Sequence, residues 1–461
     1  MADNDGHKGA QSNNNELQRG LTNRHVQMIA LGGAIGTGLF LGSGESIHFA
    51  GPSIILGYLI TGLICFWMMR AMGEMMMTNI KYHSFVDLIH QYWGHKAGFV
   101  IGWAYWASWI AIAMAELTAI GVYIKLWLPG LPQWVPGLIT IAILLCINLI
   151  TVKAFGEVEF WFALIKIVAI IALIIIGIGL MLFRFHTSAG VATPMNLVSH
   201  GGFFPTGMHG FLMALPMVVF AFAGVEMVGM TAAETQDPQE VIPRAINNIP
   251  VRILIFYIGS LAVIMSIFPW NLLSAHTSPF VMVFKDIGIS GAADIINFVV
   301  ITAAASSCNS ALYTTGRMLA ELTAKSPSER VRRISHISRF QVPTLAILIS
   351  AVLIMFSAAL NYFIPGSVFT LISGVATTSF LFIWGAIVIT HLIFRKKYPK
   401  ESSFKMPLSP VSDYIVLIFF AIVAVTMLMQ KSTLISLIAT LIWMGILLIA
   451  SRRHKEIKIE K

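Results

Sequence analysis

The chain has 461 residues, of which 57% are hydrophobic and only 11% charged, with a mean hydropathy of +0.80. Soluble domains carry about 25% charged residues, so these values exclude a soluble enzyme or binding domain and indicate an all-α, polytopic integral membrane protein. The net charge of +9 does not mark a nucleic-acid surface, because the basic residues are gathered at the ends of apolar runs. Residues 1–24 are polar, with Asn13, Asn14, Asn15 and Glu16 in a row, and hold no apolar core of the kind a cleavable signal needs. The first span is therefore expected to act as its own insertion signal. Cys65, Cys146 and Cys308 lie inside apolar runs without metal-ligand spacing and read as buried small hydrophobes.

In chain order, twelve apolar runs are long enough to cross a bilayer: about 26–50, 52–72, 98–125, 134–152, 160–183, 207–231, 252–270, 292–316, 342–361, 366–393, 411–429 and 432–450. The tenth is the least regular, since Ser373 and Thr377 interrupt it. With the N-terminus inside, only Lys125, Arg184, Lys285 and Lys431 of the thirty Lys and Arg fall in outside loops. The dense groups Arg330 to Arg333, Arg395 to Lys405 and Arg452 to Lys455 then lie inside. That asymmetry puts both termini in the cytoplasm and makes the basic runs topological determinants that contact lipid headgroups.

The first run contains Gly32-Gly33-Ala34-Ile35-Gly36-Thr37-Gly38-Leu39-Phe40-Leu41-Gly42-Ser43-Gly44. Glycine holds a helix poorly, and an unwound turn in lipid is tolerated only where it lines a cavity. The stretch thus predicts a helix break that meets a ligand. The competing reading is close packing, because Gly32/Gly36 and Gly38/Gly42 are both small-xxx-small pairs. The sixth run has a second interruption. Pro216 removes a backbone donor, Gly224 allows a flexible turn, and the ionisable Glu226 follows at membrane depth. A kinked packing helix is the alternative there.

The two interrupted runs are five spans apart. Five is odd, so spans 1–5 and 6–10 are candidates for inverted-topology repeats whose broken leading helices cross near the midplane, the pattern of a transporter's substrate site. The expected division is a tail 1–24, one repeat 25–183, a second 206–393, helices 11 and 12 over 408–451 and a tail 452–461. Half-helix N-termini suit a carboxylate and unwound carbonyls suit an ammonium group. Two crossed breaks therefore match a zwitterion of amino-acid size, with Thr37 adding a hydroxyl donor.

The ordered set Leu21-Thr22-Asn23-Arg24-His25, Gly33 to Phe40, Arg70-Ala71-Met72-Gly73-Glu74, Gly102-Trp103 with Tyr105-Trp106, Glu159 to Ala163 leading to Lys166, Glu234 to Pro238, Pro243 to Ile246 and Ser306 to Leu319 resembles the amino acid–polyamine–organocation superfamily and, within it, the bacterial amino acid transporter family. Gly156 to Phe162, Ile267 to Trp270 and Ile295 to Val300 are most similar to the D-serine/D-alanine/glycine permeases. The chain departs from them at Lys325 to Arg330, where a Gly- and Pro-containing turn is usual, and at Glu116, which stands where the nearest subgroup carries Asp.

The resemblance implies a LeuT-like fold with discontinuous helices 1 and 6 and two extra C-terminal helices. It places the substrate carboxylate on the backbone of Gly36, Thr37 and Gly38. The substrate ammonium goes to carbonyls near Ala34, Ile35, Phe220 and Ala223. Phe220 is the aromatic that closes over the substrate, Phe222 and Gly224 complete the sixth-helix motif, and Ser306, Ser307 and Asn309 lie beside the first break.

Ionisable residues in a span are functional candidates by default. Lys166 is either a coupling residue beside the first break or a snorkelling anchor. Glu226 is a partner for exposed donors or a coupling group. Glu116 either restricts the substrate side chain or bonds to a neighbouring helix. Glu74, Glu157, Glu159 and Glu234 read as caps or gate residues at cytoplasmic helix ends, with Arg24 and His25 on the same rim. The leading expectation is a proton-coupled importer of small neutral amino acids (D-alanine, D-serine, glycine or L-alanine) in a bacterial plasma membrane. An exchanger, or a permease for another amino-acid class, is the alternative. A membrane enzyme would need a convergent set of reactive groups, and here they are scattered. A nutrient sensor would carry larger soluble tails. No cofactor is expected, since Gly36-Thr37-Gly38 does not follow a strand. The sequence carries no reading of the oligomeric state.

Overall fold

A computed structural model describes residues 35–78, 84–150, 152–230, 238–275, 277–287, 291–324, 326–338, 342–397, 402 and 404–453. Each of the twelve apolar runs carries a helix within these residues. Eight helical segments are long and apolar enough to cross a membrane: Gly42–Met76, His95–Ile124, Gly156–Leu182, Gln239–Ile267, Ala292–Ala324, Thr344–Phe363, Val368–Lys397 and Lys431–Arg452. Trp134–Ile150, Gly207–Phe220 and Val411–Thr426 are shorter apolar helices. Gly42–Met76 joins the end of the first run to the second through a tight turn at Gly51–Ser53. Gly51 sits there at φ 60°, a conformation that glycine adopts without strain.

Burial separates centre from rim. The apolar windows of His95–Ile124, Ala292–Ala324 and Val368–Lys397 are 78%, 78% and 83% buried, against 22% for Gly156–Leu182. Gly156–Leu182 exposes Ile171, Ile175, Ile176, Ile178 and Leu182, on a face where lipid rather than water is the solvent. The irregular tenth run is helical from Val368 to Lys397, because its hydroxyls bond within the helix. Thr378 donates to Gly374 O at 2.9 Å and Thr390 to Ala386 O at 2.7 Å. Back-bonding to the preceding turn satisfies a hydroxyl that lipid cannot.

Several elements lie outside the twelve runs. The helix Phe85–Tyr92 starts at a capping box, in which Ser84 and Asp87 each accept the other's backbone N–H. A two-stranded hairpin pairs His186–Thr187 with Gly190–Val191, and Pro238–Asn247 and Pro279–Asp286 are short helices.

Two expectations are corrected. Cys65 and Cys308 are buried, but Cys146 is exposed. The buried face of Trp134–Ile150 is Pro136, Gly137, Ile141, Leu144 and Asn148, and at helical spacing Cys146 falls off that stripe. Pro216 lies inside an unbroken helix, Gly207–Phe220, and the chain leaves the helix only after Phe220.

Candidate functional site

At the first break Ile35 is non-helical and Gly36 is extended, with φ −121° and ψ −159°. The chain re-enters a helix at Thr37–Phe40, steps at Leu41 and continues as Gly42–Ala50. Ala34, Gly32 and Gly33 lie outside the described residues. Two groups opened by the break have ionisable partners from other helices. Lys166 Nζ donates to Ile35 O at 3.0 Å, and the Thr37 N–H donates to the two oxygens of Glu116 at 3.3 and 3.4 Å. Thr37, Glu116 and Lys166 are all buried. The Thr37 hydroxyl has no hydrogen-bond partner among the described residues. A Cβ on Gly36 would stand 2.6 Å from Glu116 Oε1 and 3.1 Å from Ser307 Oγ. The absent side chain is what admits both groups to the backbone.

At the second break the chain turns through Ala221 to Glu226 before Met227–Met230. Gly224 has φ 96°, a region closed to most side chains. Its N–H donates to Glu226 Oε2 at 3.2 Å. The same carboxylate accepts Tyr105 OH at 3.1 Å and Trp384 Nε1 at 3.2 Å. Tyr257 OH donates to Ala221 O at 2.9 Å. Tyr257 lies in a π-helical segment, Ile253–Gly259, a wide turn that is rare and recurs at functional sites.

The two breaks touch. A Cβ on Gly38 would lie 2.5 Å from Ala221 Cα, and one on Gly42 would lie 2.7 Å from Met217 Sδ. The break falls at Gly36 and the close packing at Gly38 and Gly42. Gly38 and Gly42 allow close helix approach, while Gly36 opens the backbone to side chains from elsewhere.

The other expected site residues divide. Ser307 lies beside Gly36. Ser306 instead donates to Glu159 Oε1 at 2.6 Å, and Asn309 Oδ1 accepts Asn148 Nδ2 at 2.8 Å, so both bind neighbouring helices. Glu159 is buried well inside Val152–Leu182, which corrects its reading as a residue of the helix end. Glu74 does lie at a helix end, where Arg395 clasps it with bonds of 3.0 and 2.7 Å. Phe220 meets Phe369 edge-on at 6.1 Å, while Phe222 stacks on Tyr257 at 4.9 Å. Ala223 N–H donates to Phe220 O at 3.0 Å, closing part of the turn on itself. Trp106 Nε1 donates to Ser350 at 3.4 Å, away from either break. Lys166 is fully buried against the break, not extended to an interface. Glu234, Arg24 and His25 lie outside the described residues. Sequence reasoning did not find the roles of Tyr105, Tyr257 and Trp384, because an aromatic ring in an apolar run looks like packing. Its one signal is the polar tip, which needs a partner when buried.

Comparison with known proteins bears on this geometry. The family model described as amino acid permease matches residues 25–461. The chain is 52% identical over 450 residues to the amino-acid permease AapA of Bacillus subtilis, covering 96% of this chain and 97% of that protein. It is 43% identical over 453 residues to the D-serine/D-alanine/glycine transporter of Escherichia coli K12, covering 96% of each. It is also 43% identical over 440 residues to the aromatic amino acid transport protein AroP of Escherichia coli K12, covering 95% of each. The chain belongs to the amino acid permease family and is a multi-pass membrane protein.

Proposed function

We propose that this permease is a secondary active importer of small neutral amino acids (D-alanine, D-serine, glycine or L-alanine) driven by proton symport. One observation carries the reading. The first break holds a carboxylate on the Thr37 N–H and an ammonium on the Ile35 carbonyl, so its backbone suits both ends of an amino acid. The adjoining turn at Phe220 to Gly224 completes the enclosure. Ser307 stands next to Gly36, and Ser306 and Asn309 support it from the same helix. Selection then falls on the volume left for the side chain, which Phe220 reduces. A permease for another amino-acid class is the second reading, favoured by equal identity to a D-serine/D-alanine/glycine carrier and to an aromatic amino acid carrier.

The reading includes a twelve-span arrangement with inverted repeats over 25–183 and 206–393, helices 11 and 12 over 408–451, and both termini in the cytoplasm of a bacterial cell. In it Lys166 couples the proton to the first break, since losing a proton would loosen its hold on the Ile35 carbonyl. Glu116 and Glu226 are the other ionisable groups at the breaks. The test is uptake by purified protein in liposomes under an imposed proton gradient, with a panel of labelled amino acids. Glycine, alanine and serine of either hand should accumulate, and lysine and glutamate should not. Lys166→Ala should abolish gradient-driven accumulation while retaining some substrate binding. Undiminished accumulation by that variant would remove Lys166 from the coupling role.

A further inference from the structure

We propose that Glu116 is a resident competitor for the substrate's carboxylate, an internal anion that occupies the first break until an amino acid displaces it. The inference rests on the amino-acid reading of the site and adds a regulatory contact to it. Glu116 is fully inside the protein, and both its oxygens face the Thr37 N–H. It reaches that point because Gly36 has no side chain, since a Cβ there would lie 2.6 Å from its Oε1. The partner is brought from another helix, 79 residues along the chain, so its hold is a tertiary contact and not part of the local turn.

The physical requirement is plain. A bare N–H at membrane depth is costly without an acceptor, and the break exposes one whether or not substrate is present. In this structure Glu116 supplies the acceptor. A substrate carboxylate needs the same N–H, and two carboxylates sharing one donor in a low-dielectric interior repel each other. Binding therefore requires Glu116 to give up the Thr37 N–H, while the Ser307 hydroxyl, which already bonds its carboxyl group, can hold it beside Gly36. The buried Thr37 hydroxyl, which has no partner among the described residues, is then free to donate to the incoming carboxylate. A resident anion of this kind keeps the N–H of the break satisfied and sets a threshold that an incoming carboxylate must overcome.

The test uses the full-length protein purified in detergent. The amino acid that most raises its melting temperature is first chosen from a panel of the twenty common L-forms with D-alanine and D-serine. Affinities for that amino acid and for its neutral carboxamide are then measured in the native protein, Glu116→Ala and Glu116→Gln. If the resident carboxylate holds the site about nine-tenths of the time, its removal tightens acid binding about tenfold. The amide should share that gain from vacancy but gain less in total, because only the acid is also relieved of charge repulsion. Glu116→Gln, which keeps the volume and loses the charge, should move in the same direction by a smaller factor and serves if Glu116→Ala fails to fold. Unchanged or weaker acid binding in the variants overturns the proposal, as does an equal gain for acid and amide. If no amino acid binds the native protein, the amino-acid reading of the site fails and the proposal with it. That outcome is distinct from binding that is merely insensitive to Glu116.

Discussion

The two helix breaks solve one problem with different materials. Each frees a backbone N–H and a carbonyl at membrane depth, where neither can turn to water. At the first, the N–H goes to Glu116 and the carbonyl to Lys166, both ionisable and both from distant helices. At the second, the Gly224 N–H goes to Glu226, two residues away, and the Ala221 carbonyl to the neutral hydroxyl of Tyr257. Glu226 is itself pinned by Tyr105 and Trp384, whereas both partners at the first break come from helices remote in sequence. In the proposed function the second break serves as the fixed clamp and the first as the half that exchanges ligands.

The difference can be broken experimentally, beginning with the largest effect. Glu226→Ala leaves the Tyr105 hydroxyl, the Trp384 indole and the Gly224 N–H without their acceptor. At about 1–3 kcal/mol for each orphaned buried group, the loss should exceed about 3 kcal/mol and appear as a large fall in melting temperature. Glu116→Ala should cost less, because it orphans one backbone N–H held at 3.3 and 3.4 Å, while the Ser307 and Thr37 hydroxyls beside it can rotate. A melting temperature for Glu116→Ala below that of Glu226→Ala would reverse the assignment of clamp and exchange site.

The crossing between the breaks comes next. In Gly38→Val the new Cβ meets the Ala221 backbone at 2.5 Å, and backbone cannot yield as a side-chain tip does. Overpacking of this kind costs about 1–3 kcal/mol. Gly36→Ala meets only the ends of the Glu116 and Ser307 side chains and should be milder in thermal unfolding. Equal destabilisation by the two would mean that the first break is as rigid as the crossing.

The smallest effect sharpens the comparison. Tyr257→Phe removes one hydroxyl from the Ala221 carbonyl while keeping the ring that stacks on Phe222. It should cost about 1 kcal/mol, measured by thermal unfolding, and leave the proton dependence of uptake unaltered. A changed pH profile would show that the second break also takes part in coupling.

How much of this was legible beforehand differs from residue to residue. The apolar runs located the helices, because lipid admits a backbone only when it satisfies itself, and that demand is written in consecutive residues. Gly36 and the sequence Gly224 to Glu226 marked both breaks, since each is a local weakness of the helix. Pro216 misdirected the second by position: its missing donor is accommodated within the helix, and Thr377 Oγ1 donates to its carbonyl at 3.1 Å. Glu159 looked like a cap from its place near the start of a helix, yet it meets Ser306 from a helix 147 residues away.

By itself, then, the sequence determined the membrane class, the number of apolar runs, the two weak points in the helices and the resemblance to a family of carriers. These depend on neighbours along the chain. Only the tertiary structure decided which buried groups answer each break: Glu116 and Lys166 at one, Glu226 and Tyr257 at the other. A carboxylate on one helix has many equivalent donors to choose from in sequence. In space the choice is settled, because packing brings a particular unpaired N–H, that of Thr37 or of Gly224, within reach.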